Sequence, residues 1–358
     1  MPNSSMGLYL HTPAVLEISN NFHATEFPKW YSLALRPTGT LPRDPSFAAP
    51  PPPERRITFV FWACTRKTMA HNPVVHNLGK ASMALWSKLP PPLLETRTVR
   101  TVGHAIHKTV CRYAPRNAGG STWFMRNPPL LAGIAEQIHN LRPSGFVRIC
   151  DIGCSTGSEV YSVLWMLRRR FPQIPVSMLA MDRSAEAIEH AQAGRYKADS
   201  LVFRGRMDQP TRDDIFYREG YEFVVKPWLR EGIQWLVGDA NDPEIAERFG
   251  KQDAVLANNF LVHMNDDAAM NCMVNLTRLV RPSGLFVCRG VDLDVREKMA
   301  ERLWLRPVTS YIEEIHNADG EFGARCDWPW RYWGLEPIDK SRANWTQRYA
   351  AMFLAPPT

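Results

Sequence analysis

Past residue 120, short apolar runs alternate with longer stretches whose apolar positions recur every three or four residues. The runs Val147–Ile152, Val176–Met181, Ile233–Val237, Ala254–Ala257 and Leu285–Cys288 predict strands. The intervening stretches predict helices over Ser158–Phe171, from Ser184 onward, and over Asp266–Leu279. Ser184 is a good N-cap with Glu186 in the first turn, and Arg281-Pro282-Ser283-Gly284 reads as a helix stop. Strands alternating with helices imply a mostly parallel sheet covered on both faces. The expected fold is therefore α/β, an open doubly wound sheet.

The first third of the chain lacks this pattern. Residues 1–82 hold ten prolines by position 53, ending in Pro50–Pro53, and show no sustained period of 3.6 or 2.0. Proline fixes φ and removes donors, so this stretch reads as a disordered Pro-rich leader, or as an over-long start with the protein beginning near Met69 or Met83. Residues 83–120 read as a helical lead-in, with Val99, Val102, Ile106 and Val110 near helical spacing. The main domain is expected over 121–358, with a tryptophan-rich part, 303–358, carrying Trp304, Trp328, Trp330, Trp333 and Trp345. Such a dense aromatic segment packs across a sheet edge, covers a ligand pocket, or forms a partner surface.

Composition changes the picture only where it is located. The net charge of +7 suggests polyanions, but residues 1–120 hold 14 Lys/Arg against 5 Asp/Glu, and the rest hold 29 against 31. The rest of the chain therefore has no electrostatic reason to seek nucleic acid, and none is expected as a partner. The apolar run Ile57–Cys64 is eight residues, far short of the roughly 20 needed to cross a bilayer. With no signal-peptide pattern at the N-terminus, a soluble, cytoplasmic protein without membrane insertion is expected. Seven scattered cysteines, with no Cys-x-x-Cys pair, predict neither a disulfide framework nor a metal site.

Candidate chemistry begins where the first strand turns into the first helix. In open α/β sheets ligands sit beyond the strand carboxyl ends near this point. Here the chain reads Asp151-x-Gly153-x-Ser155-x-Gly157. Glycines let the backbone turn tightly and approach a ligand closely. The Gly-x-Gly-x-x-Gly spacing that a pyrophosphate calls for is absent. S-adenosylmethionine (SAM) carries no phosphate and suits a looser glycine loop with an acid at the strand end. Asp182, closing the second strand, can accept both ribose hydroxyls, though it could equally cap the helix starting near Ser184. Val237-Gly238-Asp239-Ala240, after the third core strand, offers an acid for an adenine amino group.

Taken together, these blocks resemble a known family. Ile152-Gly-Cys-Ser-Thr-Gly-Ser-Glu159-Val-Tyr-Ser162 is similar to the signature of CheR-type methyltransferases, which methylate receptor glutamates in bacterial chemotaxis. Thr122-Trp-Phe-Met-Arg126 resembles that family's Thr-x-Phe-x-Arg, and Val225-Lys-Pro-Trp-Leu-Arg230 its Val-Lys-Pro-x-Leu-Arg. The likeness covers roughly 120–290. It implies a seven-stranded class I methyltransferase sheet, Rossmann-like, with Arg306–Ile315 and Thr346–Leu354 supplying the last antiparallel strands. It also implies that Arg126 binds the SAM carboxylate while Thr122 frames that end. Glu159 would contact the amino-acid part, Asp182 the ribose and Asp239, with Ala240, the adenine. Asn259 would line the donor pocket. The expected activity is SAM-dependent methyl transfer to an acceptor, with a protein glutamate carboxylate favoured. A small-molecule O- or N-methyltransferase and a non-catalytic SAM-binding module are the alternatives.

Departures fall on the acceptor half. The family's Cys-Arg-Asn is here Ala257-Asn258-Asn259, its tyrosine aligns with His263, and its Gly-His-Ser-Glu is replaced by Arg289-Gly290-Val291-Asp292. The segment between Tyr217 and Lys226 is short, so no enlarged β-subdomain is expected. An ionised carboxylate acceptor needs no base. A hydroxyl or amine would, which makes His263 a catalytic candidate, while Arg289 could orient an anionic acceptor.

Overall fold

Strand order in the main sheet follows from which runs can be buried on both faces. The computed structural model describes residues 82–357 except 115, 117–121, 143–144, 204–206 and 319–327. The leader expected over 1–82 therefore lies, but for Ser82, outside the described residues. All described residues belong to one unit, Arg55–Thr358.

Ahead of the main domain, the main described element is the helix α1 (Arg97–Tyr113). Next comes α2 (Pro128–Leu141), started by two prolines and by Asn127, whose side chain accepts the Leu130 N–H. The domain then alternates: β1 (Val147–Ile152), α3 (Ser158–Arg170), β2 (Val176–Asp182) and α4 (Ala185–Ala193). Ser184 caps α4 by accepting from Ala187, and Gly194 closes it in the left-handed region. A side excursion holds β3 (Arg195–Lys197), α5 (Gln209–Ile215), β4 (Phe216–Glu219) and β5 (Glu222–Val225). The core resumes with β6 (Ile233–Val237), β7 (Gln252–Leu256), α6 (Asp266–Thr277), β8 (Val280–Val287) and α7 (Leu293–Arg302). It ends with β9 (Arg306–Pro307), α8 (Trp345–Tyr349) and β10 (Met352–Leu354).

Seven strands form one sheet in the order β6-β2-β1-β7-β8-β10-β9. The first five run parallel, while β10 pairs antiparallel with both β8 and β9. At the centre, β7 is buried throughout and β1 at every position but Arg148, which is why both read as continuous apolar runs. The strand order reverses between β1 and β7, so their carboxyl ends open the crevice where α/β sheets bind ligands.

Three expectations are corrected. Arg306–Ile315 forms only the two-residue β9, and Ile312–Asn317 is helical. Thr346–Leu354 likewise splits into the end of α8 and the short β10. The β10–β8 ladder spans three residue pairs, while the apolar Ile312, Ile315 and Tyr349 are buried from helices. Arg281–Gly284 does not stop before a strand but lies inside β8, with a register irregularity opposite Gln252–Ala254.

The third correction concerns the excursion. A separate three-stranded antiparallel sheet, β3-β5-β4, stands where the short Tyr217–Lys226 segment predicted no enlarged β-subdomain. Its hairpin turns on Gly220-Tyr221, with a positive φ at Gly220. Strands of three and four residues are too short to show a period, which is why they are silent in the sequence. Phe124 holds this sheet to the body: its ring packs on Tyr196 at 5.1 Å and Phe216 at 4.8 Å, and its N–H donates to Val202. The aromatic tail mostly packs as well. Trp328 is buried against Gly103 of α1 and meets Trp86 edge-on. Among the described residues no helix is long and apolar enough to cross a membrane.

Candidate functional site

The turn after β1 is shaped by three left-handed residues, Gly153, Ser155 and Gly157, with φ of 75°, 51° and 85°. A Cβ on Gly153 would lie 2.6 Å from the Phe260 ring, and one on Gly157 2.9 Å from Ala191. Both positions therefore require glycine for space as well as for conformation. Asp182 ties this loop to β2: Oδ2 accepts the Ser155 N–H at 2.8 Å and Oδ1 the Ser184 N–H at 2.9 Å. The capping role and the position beside the loop are thus both real. Next to it, Gly238 donates its N–H to the Asp182 carbonyl, which sets Asp239 one strand over. Asp239 is exposed and accepts from the backbone and side chain of Asn241, and Ala240 behind it is buried.

On the other side of the loop, a narrow cleft brings together Thr122, Arg126, Glu159, Asn259 and Arg289. Five of the sequence-predicted residues, drawn from four separate segments, meet there. Arg126 lies over the Trp123 ring, 3.9 Å from its centroid. Ser162, one turn along α3 from Ser158, accepts the Met125 N–H at 3.0 Å and so clips the Thr122–Arg126 segment onto α3.

The electrostatics favour a cation. Asp151 is 1% exposed, and its Oδ2 is buried without a hydrogen-bond partner. Burial, then the charges of Glu159 and Asp182, push its carboxyl well above the ordinary carboxylate range. Burial also raises Glu159, against a hydrogen bond from Asn258 and the charges of Arg126 and Arg289. Three carboxylates thus crowd the carboxyl ends of β1 and β2, with one acceptor atom left over. A ligand bearing an ammonium and a sulfonium, as SAM does, fits that surplus.

The two catalytic candidates stand differently. Arg289 is 5% exposed, and its guanidinium donates to Asn259 Oδ1 at 3.2 Å. It lines the cleft. His263 is not among the residues lining the cleft. Its Nδ1 lies 3.0 Å from the Tyr332 hydroxyl, and burial, with Arg116, Arg126 and Arg183, keeps the imidazole below its usual pKa.

Sequence reasoning missed three residues. Asn258 bridges the site: its amide donates to Glu159 at 2.7 Å and its Oδ1 accepts the Arg289 N–H at 2.9 Å. Trp123 supplies the platform for Arg126. Tyr196, from the small sheet, donates to the Thr156 carbonyl at 2.6 Å and so braces the glycine loop. The available signal was the paired Asn258-Asn259 directly after a strand end.

Comparison with known proteins bears on the same stretch. The "Probable biofilm formation methyltransferase WspC" of Pseudomonas aeruginosa is 30% identical over 173 residues, 46% of this chain and 39% of that protein. "Chemotaxis protein methyltransferase 2" of Vibrio cholerae is 20% identical over 171 residues, 46% of this chain and 59% of that one. The chain thus spans less than two thirds of either relative. A solved structure, magnesium protoporphyrin IX methyltransferase from Synechocystis PCC 6803 with bound SAM, is similar over 50% of this chain and 69% of that one. Its identity is 15% and its TM-score 0.30, too low to add to the fold read from the strand order. The description "CheR methyltransferase, SAM binding domain" matches residues 120–301, half of the chain, and takes in the glycine loop and the whole cleft. The chain belongs to the CheR methyltransferase family, and SAM is the cofactor of its matched domain.

Proposed function

We propose that this protein is a SAM-dependent methyltransferase acting on a side-chain carboxylate of another protein, with glutamate the favoured acceptor, in line with its likeness to chemotaxis protein methyltransferases. The observation that carries the reading is the convergence of Arg126, Glu159, Asn259 and Arg289 on one cleft beside the glycine loop of a CheR family domain.

Each residue has a task in this reading. Arg126, steadied on Trp123 and framed by Thr122, binds the carboxylate end of the cofactor. Asp151 and Glu159 receive its amino end, with Gly153, Ser155 and Gly157 giving the backbone close approach. Asp182 accepts from the ribose hydroxyls, and Asp239 with Ala240 borders the adenine. SAM, when bound, supplies a methyl group already activated by the sulfonium charge. Arg289 orients the acceptor carboxylate, which is ionised at neutral pH and needs no base. Most of the rate then comes from alignment and exclusion of water. His263, outside the cleft lining and held below its usual pKa, takes no part as a base in this reading.

The test is methyl transfer from labelled SAM followed by mild base. Methyl esters release methanol, whereas ethers and methylamines do not. Base-labile methanol from a protein fraction supports the proposal. Base-stable label would place the acceptor among small-molecule hydroxyls or amines, and His263→Asn would then abolish turnover instead of sparing it. Calorimetry with wild type and Asp182→Ala checks the donor half, which fails if the wild type does not bind SAM.

A further inference from the structure

Outside the cofactor cleft, three metal-ligating side chains converge from distant parts of the chain. His107 and Cys111 lie one turn apart on α1, and Asp292 immediately precedes α7. The Cys111 Sγ is 3.4 Å from His107 Nε2 and 3.2 Å from Asp292 Oδ2, and all three donor atoms lie within 4.8 Å of one another. A tetrahedral zinc with bonds of roughly 2.0–2.3 Å has ligand-to-ligand edges of about 3.3–3.7 Å. Two of the trio's three edges, at 3.4 and 3.2 Å, are therefore close to that spacing, and the third is within 4.8 Å.

Each donor is also oriented by a further contact. Nδ1 of His107 lies 3.3 Å from the Pro329 carbonyl. Donating its N–H there leaves Nε2 with its lone pair toward Cys111, the tautomer a metal needs. Asp292 Oδ1 accepts the Asp294 N–H at 2.9 Å, which frees Oδ2 for the cluster. Arg116 is the nearest opposing cation. Its guanidinium is occupied by the carbonyls of Cys111, Val262 and Met264 and lies 3.5 Å from Asp266.

A nucleophilic thiol does not fit this arrangement. In a thiol–histidine–acid relay the acid holds the histidine, whereas here the acid touches the thiol and the histidine's far nitrogen faces a carbonyl. A carboxylate against the sulfur opposes thiolate formation unless a cation sits between them. Cysteine with histidine and a carboxylate is a donor set for zinc-class ions, not for calcium or magnesium.

We propose that His107, Cys111 and Asp292 bind one zinc-class divalent ion, with the fourth position left to water or to the Tyr332 carbonyl, 3.9 Å from Sγ. The ion clasps α1 to the start of α7 and to the 329–332 turn, and so holds Tyr332 against His263. Cysteine spacing could not show it, because the sulfur and the carboxylate are 181 residues apart. Asp292 falls in a block where this chain departs from its family's pattern.

The test uses the full chain, stripped with a chelator and titrated with Co2+ and then Zn2+. One equivalent of Co2+ should give tetrahedral d–d bands and a thiolate charge-transfer band, both displaced by Zn2+. Cys111→Ser should abolish the charge-transfer band, and His107→Ala should weaken Zn2+ binding about 100-fold. Asp292→Asn keeps the helix cap and should also weaken binding, with SAM affinity preserved in all three variants as the check on folding. No stoichiometric Co2+ binding by the wild type, or a charge-transfer band that survives Cys111→Ser, overturns the proposal.

Discussion

Asp151 shows at the scale of one residue how a ligand site is held against stability. Its folded-state pKa lies above the ordinary 3.8, burial being the first cause. Above pH 4 the native chain therefore keeps a proton that the unfolded chain has released. The stability this proton confers is complete below the unfolded pKa and drains away as pH rises through the folded one. In the SAM-free protein Asp151→Asn should thus melt higher than wild type at neutral pH, the gap closing as pH approaches 3.8. Thermal melts across that range check it, and an equal or lower melting point at neutral pH contradicts it. SAM affinity should move the other way. A hydrogen bond to a charged group is worth about 1.5–3 kcal/mol, so calorimetry should show a loss of roughly 10–100-fold. Asp182 differs, since both its oxygens already hold backbone N–H groups. Asp182→Ala should therefore loosen the Ser155 turn as well as remove a ligand contact.

At the scale of elements, the small sheet and the Thr122–Arg126 segment behave as one device. Phe124 is 0% exposed, stacks 6.5 Å from Tyr161 of α3, and reaches Tyr196 and Phe216 of the small sheet. Phe124→Ala should cost about 3–5 kcal/mol in urea unfolding, the usual range for a buried ring. It should also weaken SAM binding, because the same segment carries Arg126 and is clipped to Ser162. Phe124→Leu should recover most of both losses. Unchanged SAM affinity in a destabilised Phe124→Ala would show that the small sheet does not position Arg126.

Across the whole molecule, the carboxyl-terminal segment is locked to the body through Arg348. Its guanidinium, 4% exposed, makes a two-pronged contact with Glu336 at 2.6 and 3.0 Å and reaches Asp294 and Glu297 of α7. His104 of α1 meets the same Glu336 at 3.1 Å. Burial raises the Glu336 carboxyl, but the Arg348 hydrogen bond and charge outweigh it and hold the pKa below the usual 4.5. That contribution is present above the unfolded value and is lost as pH falls through the folded one. Arg348→Met strands a buried carboxylate and should cost about 3–5 kcal/mol at neutral pH. The penalty should shrink toward pH 4.5, and adding Glu336→Gln should restore part of it. Denaturant titrations of the two variants at two pH values decide this. A penalty independent of pH would mean that the cost is packing alone.

What the sequence determined by itself is whatever is contiguous. The strand–turn–helix at 147–170, the glycine loop, Asp182 at a strand end and the family blocks each lie within about twenty residues. Periodicity and turn chemistry there leave few alternatives. The tertiary structure alone decided what depends on distant partners. Asn258 becomes a bridge only because Glu159, 99 residues away, folds beneath it. The β3-β5-β4 sheet has strands too short to carry a period, and whether the carboxyl-terminal segments pair with β8 or pack as helices depends on a strand far away in the chain. His107, Cys111 and Asp292 meet for the same reason. Local patterns encode local conformation, whereas a cluster of side chains is a property of packing, and packing is settled only when the whole chain closes.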